Sequence, residues 1–262
     1  MESTPTRPLA LITGASSGIG LEFVTLFADG GYDLVLAADE DLSAAADAAR
    51  AAGAVRVETV TADLSTPEAN DALYRTACGV GPVDVLVANA GHGEWGLFAT
   101  ETDLDDEMNL IGVNVVSPVR LAKHALADMV ARGSGKVLFT GSIAGSGPGP
   151  YQAVYHASKA FVNSFAQAVR NEVKDSGVTV TVLMPGATET EFFDRAGMED
   201  AKVAQAKKAD AASVAKAGYD ALMAGDDHVV AGLMNKVVAK VLEILPPPAA
   251  AALNRSQNAP AP

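Results

Sequence analysis

Short apolar runs recur along this chain, each followed by a longer stretch with helical spacing, and that alternation is the strongest constraint on its fold. The runs cover residues 9–12, 34–37, 55–60, 83–88, 136–140 and 178–184, with a short seventh at 228–231. Helical patterns lie between them over residues 18–30, 42–52, 67–78, 102–131, 155–174 and 213–224. Unbroken apolar runs of this length mark parallel strands covered on both faces, because a half-exposed strand would alternate polar and apolar residues. The expected architecture is therefore α/β, a doubly wound parallel sheet of about seven strands with helices on both faces. No composition break divides the 262 residues, so a single domain is expected over residues 1–245. Residues 246–262 open on Pro246-Pro247-Pro248 and are rich in Ala, Asn, Ser and Pro, which reads as a frayed C-terminal tail.

Composition removes several classes of function. Hydrophobic residues make up 49% of the chain, enough for a large core. With 19 basic and 32 acidic residues the net charge is −13, which repels a nucleic-acid backbone and an anionic membrane surface, so neither is expected as a partner. The single cysteine, Cys78, excludes an internal disulfide framework and a multi-cysteine metal site, and fits a reducing compartment. The four histidines lack ligand spacing, so no metal is expected. Residues 1–8 have no apolar signal core, which predicts a cytoplasmic protein. The most apolar late stretch, residues 229–245, is interrupted by Asn235, Lys236, Lys240 and Glu243, so no membrane span is expected.

The loop Thr13-Gly14-Ala15-Ser16-Ser17-Gly18-Ile19-Gly20 joins the first strand to the first helix. Glycine at 14 allows a tight turn, Gly18 lets backbone approach a pyrophosphate, and Gly20 lets helix pack on strand. The helix N-terminus then offers free N–H groups and a positive dipole end to phosphates. Gly14, Ser16, Ser17, Gly18, Ile19 and Gly20 thus form a candidate phosphate cradle, although the spacing is G-x-x-x-G-x-G rather than the common G-x-G-x-x-G. Asp39, 19 residues beyond Gly20, ends the second strand. A carboxylate there accepts both ribose hydroxyls and repels a 2′-phosphate, with Glu40 and Asp41 adding to the field, which favours NAD over NADP.

Tyr155 and Lys159 are four residues apart at the start of a helix, so they share one face. A free phenol has a pKa of about 10, and an adjacent ammonium stabilises its ionised form, so the pair suits proton exchange. Ser142 follows the fifth strand at the carboxyl edge of the sheet, where ligands bind in such folds, and its hydroxyl could orient a substrate carbonyl. Gly141-Ser142-Ile143-Ala144-Gly145 is not G-x-S-x-G, so a serine nucleophile is disfavoured.

Together these pieces resemble the single-domain branch of the short-chain dehydrogenase/reductase family over residues 9–232. Besides the glycine loop, the matching motifs are Asp63-Leu64, Asn89-Ala90-Gly91, Asn114 within Gly112-Val113-Asn114-Val115, Ser142, Tyr155 with Lys159, and Pro185-Gly186-Ala187-Thr188-Glu189-Thr190. The resemblance implies a Rossmann fold and an oxidoreductase acting on a secondary alcohol or ketone. It implies Tyr155 as proton donor or acceptor. Lys159 would lower the tyrosine pKa and bind the nicotinamide ribose, Ser142 would hold the substrate oxygen, and Asn114 would hold a water linking Lys159 to solvent. Asp63 and Leu64 would frame the adenine, and Asn89, Ala90 and Gly91 would line the cofactor and brace the central sheet. Pro185 and Gly186 would border the cofactor, and Thr188 and Thr190 would contact its carboxamide and phosphates. Many relatives carry Arg at the place of Asp39 and use NADP, so this departure again favours NAD, with dual use left open.

His92, Trp95, Gln152 and Phe192 fall in loops that would border the substrate, while His156, adjacent to Tyr155, points about 100° away from it on a helix. Residues 191–208 resemble a mobile lid with Gly197 as hinge, and a homodimer or homotetramer is implied, with helix faces at 116–129 and 161–173 partly interface. Two rival readings remain at this point. One is a catalytically silent dinucleotide-binding sensor or scaffold, and the other a sugar-nucleotide epimerase of the extended branch, against which the loop spacing counts.

Overall fold

A computed structural model describes residues 7–261. Among the described residues, seven strands form one parallel sheet in the order β3-β2-β1-β4-β5-β6-β7. The strands are β1 (Leu9–Thr13), β2 (Asp33–Ala38), β3 (Val57–Thr61), β4 (Val83–Ala88), β5 (Gly135–Thr140), β6 (Val178–Met184) and β7 (His228–Val230). The expected doubly wound α/β architecture, a Rossmann fold, is what the chain adopts. Every residue of β1 is buried, as a central strand between two helical layers requires, whereas the edge strand β3 exposes Glu58 and Thr59.

The helices are α1 (Gly18–Asp29), α2 (Ser43–Ala51), α3 (Pro67–Val80), α4 (Leu104–Ile111), α5 (Ser117–Arg132), α6 (Ala153–Val173), α7 (Phe192–Arg195), α8 (Lys202–Gln205), α9 (Ala211–Ala224), α10 (Leu233–Ile244) and α11 (Pro247–Asn258). One face of the sheet packs on α1, α2 and α9 through Phe23, Phe27, Ala49 and Leu222. The other packs on α3, α5 and α6 through Leu73, Leu121, Met129 and Val162. No helix among the described residues is long and apolar enough to cross a membrane.

Three expectations are corrected. The helical pattern at 102–131 is two helices joined by a π-helical turn, Gly112–Val116, which opens on a glycine whose added Cβ would stand 2.7 Å from the Ser65 carbonyl oxygen. An inserted turn of this kind re-aims side chains, and here it buries Asn114. The third strand begins two residues later than expected, at Val57. The tail is not frayed: α11 starts on prolines, which the first helical turn tolerates, and the buried side chains of Asn254 and Asn258 bond to the carbonyls of Pro148 (3.0 Å) and Pro150 (3.1 Å).

Candidate active site

The carboxyl ends of β1, β4 and β5 converge on a cleft of about 830 Å³, at the point where the sheet order reverses. Thr13 and Asn89 tie this edge together. The Thr13 hydroxyl accepts from the N–H groups of Asn89 and Ala90, both at 3.0 Å. The Asn89 amide donates to the carbonyls of Thr13 (3.1 Å) and Gly14 (3.3 Å) and accepts from the Thr140 hydroxyl (3.0 Å).

The glycine loop folds back onto this brace. Gly14 has φ +64°, and a Cβ there would stand 2.9 Å from Ala90 Cα. A Cβ on Gly20 would overlap the Gly14 carbonyl oxygen. Gly18, at φ +53°, faces Thr190, so the segment after β6 meets the loop across the cleft. Ser17 caps α1 without a side-chain hydrogen bond, and the first turn carries no acidic residue. The helix therefore presents uncapped N–H groups and its positive end to a cleft lined by Gly14, Ser16, Ser17, Gly18, Ile19 and Gly20.

Asp39, Asp63, Leu64, Asn89, Ala90 and Gly91 also line the cleft, as do Pro185, Gly186, Thr188 and Thr190. Asp39 is exposed, Leu64 is buried, and the Asp63 carboxylate accepts from the Ser65 N–H (2.9 Å). Arg195 of α7 reaches over to pair with Glu40, next to Asp39, and lies 3.6 Å from Glu191.

Ser142, Tyr155 and Lys159 meet on the same cleft. Ser142 caps a short 3₁₀ turn, Ile143–Ser146, its hydroxyl accepting from the Ala144 N–H (3.0 Å) and donating to the Pro185 carbonyl (3.3 Å). The Lys159 ammonium donates to the Thr140 carbonyl (3.0 Å) and stands 5.9 Å from the centre of the Tyr155 ring. Asn114 donates to the His92 carbonyl (2.9 Å) and to the Ser158 hydroxyl (3.1 Å), and accepts from the His92 N–H (3.1 Å). Gly91 has no Cβ where one would stand 3.0 Å from Asn114 Oδ1 and 3.2 Å from Lys159 Nζ, so these three groups close one corner of the site.

The titration of the pair departs from the sequence expectation. Burial, rather than the neighbouring ammonium, dominates Tyr155 and pushes its phenol up to about 12, with the Ser142 hydroxyl pulling the other way. Burial also pulls Lys159 down to about 8. Between pH 8 and 10.5 the unfolded chain therefore holds a proton on Lys159 that the folded chain has lost, and stability from this group rises with pH across that window. Below pH 8 the buried ammonium costs about 3 kcal/mol. Lys159→Met removes that cost. Its stability relative to the parent, read from urea midpoints, is accordingly most favourable at pH 7 and becomes less so by pH 10; a difference that does not change with pH would place the ammonium in water.

The substrate-loop residues divide. His92, Gln152 and Phe192 line the cleft, and the Phe192 ring lies 5.1 Å from that of Tyr155. Trp95 does not line it; its indole donates to the Asn258 carbonyl (2.7 Å) and packs with Phe193 and Met198. His156 is buried beside the site, its Nδ1 2.9 Å from the Gly147 carbonyl and its Nε2 3.4 Å from the Asn258 amide. We assign its proton to Nδ1, because a carbonyl only accepts. Sequence reasoning missed Asn163, which holds the Ser142 backbone through its carbonyl (2.9 Å) and N–H (3.4 Å). Its place one turn beyond Lys159 on α6 was the available signal. It also missed Leu253, Asn254, Gln257 and Asn258 of α11, all on the cleft wall.

Residues 8–201 match the family model described as short chain dehydrogenase. An uncharacterized short-chain type dehydrogenase/reductase of Sinorhizobium fredii is 36% identical over 74% of this chain and 75% of its own length. The structure of a short-chain dehydrogenase from Sphingobium yanoikuyae in complex with NADPH superposes with a TM-score of 0.80 at 29% identity, covering 91% of this chain and 96% of that one. A short chain dehydrogenase/reductase from Burkholderia phymatum in complex with NAD gives 0.81 at 25% identity, covering 89% and 92%. The chain belongs to the short-chain dehydrogenase/reductase family of oxidoreductases.

Proposed function

We propose that this protein transfers a hydride between a nicotinamide dinucleotide and a secondary alcohol or ketone, with Tyr155 as general acid/base. The observation that carries this reading is the meeting of Tyr155, Ser142 and Lys159 on the cleft that the glycine loop also lines. The bound dinucleotide supplies the hydride donor or acceptor. The residues present suit it: an uncapped helix N-terminus for the pyrophosphate, Asp39 for the adenosine ribose, Asp63 and Leu64 beside the adenine, and Asn89 to Gly91 with Pro185, Gly186, Thr188 and Thr190 along the remainder. Lys159 would bond the second ribose, and Asn114 would hold a water that relays protons to it.

Ser142 orients the substrate oxygen in this reading and Tyr155 exchanges its proton with it. A phenol held near 12 is protonated at neutral pH, so it stands ready to give its proton to a developing alkoxide during carbonyl reduction. Fluorescence titration with NADH and NADPH, followed by an alcohol and ketone panel read at the nicotinamide absorbance band, tests the reading. Turnover supports it, and tight dinucleotide binding without turnover on any of the panel would favour a binding sensor instead.

NAD is the proposed cofactor, because the Asp39 carboxylate on the cleft opposes a 2′-phosphate, while Glu40 beside it is paired with Arg195. Asp39→Arg is expected to shift the NADPH-to-NADH affinity ratio by about tenfold or more towards NADPH. Equal or tighter NADPH binding by the parent protein would defeat the argument. The exposed side chains of Val130 on α5 and Phe161 on α6 support assembly as a homodimer or homotetramer, which sedimentation reads directly.

A further inference from the structure

The cleft carries few cationic side chains. Apart from Lys159, which belongs to the site described above, the one Lys or Arg on its lining among the described residues is Arg195, and that side chain already faces two carboxylates, Glu40 and Glu191. Phe192 and Met198 from the lid segment, Val238 and Leu242 from α10 and Leu253 from α11 give the same cleft an apolar lining, and the Phe192 ring lies against that of Tyr155. Gln152, a neutral polar group of the same lining, is buried with its amide turned to the Met198 sulfur (3.3 Å).

The wall made by α11 is fixed in place rather than draped. Asn254 and Asn258 are buried and bonded to Pro148 and Pro150, the Trp95 indole holds the Asn258 carbonyl, and the strand-like end of the chain pairs with the lid through Lys202 N–H to Ala259 O (3.2 Å) and Ala261 N–H to Asp200 O (2.7 Å). Leu253 therefore faces the cleft from a helix tied at several points to the loop that precedes Tyr155.

We propose that α11 is a wall of the substrate chamber and that the chamber selects uncharged, apolar ketones or secondary alcohols; this rests on the hydride-transfer reading above. An anionic substrate would leave water for a lining that, among the described residues, offers no Lys or Arg beyond Lys159 and the paired Arg195, inside a chain of net charge −13, and an unpaired buried charge is strongly disfavoured.

The test uses the full chain and two matched probes: an unbranched methyl ketone, and the same ketone with its far methyl replaced by a carboxylate. Two readouts are taken. One is turnover with the dinucleotide. The other is emission of Trp95, the chain's single tryptophan, whose indole reports directly on the end of α11. The neutral ketone is expected to be favoured by about 100-fold in kcat/KM and to shift the Trp95 emission, while the carboxylate does neither at equal concentration. Leu253→Lys should narrow that preference by about tenfold or more, with dinucleotide affinity within about twofold of the parent. Equal use or binding of the carboxylate overturns the inference, as does a preference unmoved by Leu253→Lys, or a neutral ketone that neither binds nor reacts. A neutral ketone that binds and shifts Trp95 but is never turned over leaves the chamber standing and removes the hydride-transfer reading instead.

Discussion

Tyr155→Phe should lower kcat/KM for ketone reduction by about 10³-fold while leaving dinucleotide affinity within about threefold of the parent protein. The change removes one oxygen and keeps the ring, so the contact with Phe192 at 5.1 Å and the helix face shared with Lys159 both survive. What disappears is the phenol beside the Ser142 hydroxyl, and with it, in the proposed reaction, the proton given to a developing alkoxide. Direction matters for the pH dependence. The phenol is protonated up to about 12, so reduction needs no prior ionisation, whereas alcohol oxidation needs the proton to leave. Oxidation should therefore accelerate as pH rises through the alkaline range, and the residual activity of Tyr155→Phe should lack that slope. A variant that kept a tenth or more of the parent activity would show that another group moves the proton.

Gly20→Ala is expected to cripple the dinucleotide site and to destabilise the fold together. The added methyl would overlap the Gly14 carbonyl oxygen and stand 2.7 Å from the Asn89 amide nitrogen, so backbone, not a flexible side-chain end, has to yield. Overpacking against such neighbours costs about 3 kcal/mol. The shift also breaks the brace formed by Thr13, Asn89 and Thr140, which sets the loop against β4. NADH affinity should fall by about tenfold or more, and the urea midpoint should drop. Gly79→Ala provides the contrast, because nothing lies within 4 Å of a Cβ there and alanine suits the end of α3. Its stability should match or exceed that of the parent. Similar losses in both variants would mean that glycine content, rather than close approach at residue 20, governs the effect.

The parts of this molecule that were legible in sequence are those whose signal is local. Central strands such as β1 declare themselves because burial on both faces leaves no alternation. Tyr155 and Lys159 declare themselves because helical spacing alone puts them on one face. The glycine loop is legible because a strand, a turn and a helix start follow one another within a few residues. The π-helical turn was not, since its composition is that of any helix, and Gly112 meets Ser65, its tight neighbour, only through the fold. The C-terminal helix was misread for the same reason. Its triple proline resembles a stop, yet its hold on the molecule consists of two asparagine bonds to carbonyls 106 and 108 residues earlier. Asp39 lay between these cases: its position was readable, whereas the approach of Arg195 to neighbouring Glu40 depends on how the segment after β6 crosses the cleft.

The place of β1 in the sheet bears on how the molecule is made. It is the first strand in the chain but a middle one in space, bonded on one side to β2 and on the other to β4. A nascent or truncated chain that stops short of residue 83 must leave a buried, mostly apolar strand with one edge unsatisfied. Such fragments should be sticky, and refolding from denaturant should be limited by the closure that brings residues 83–88 beside residues 9–13 rather than by the rapid growth of the local helices.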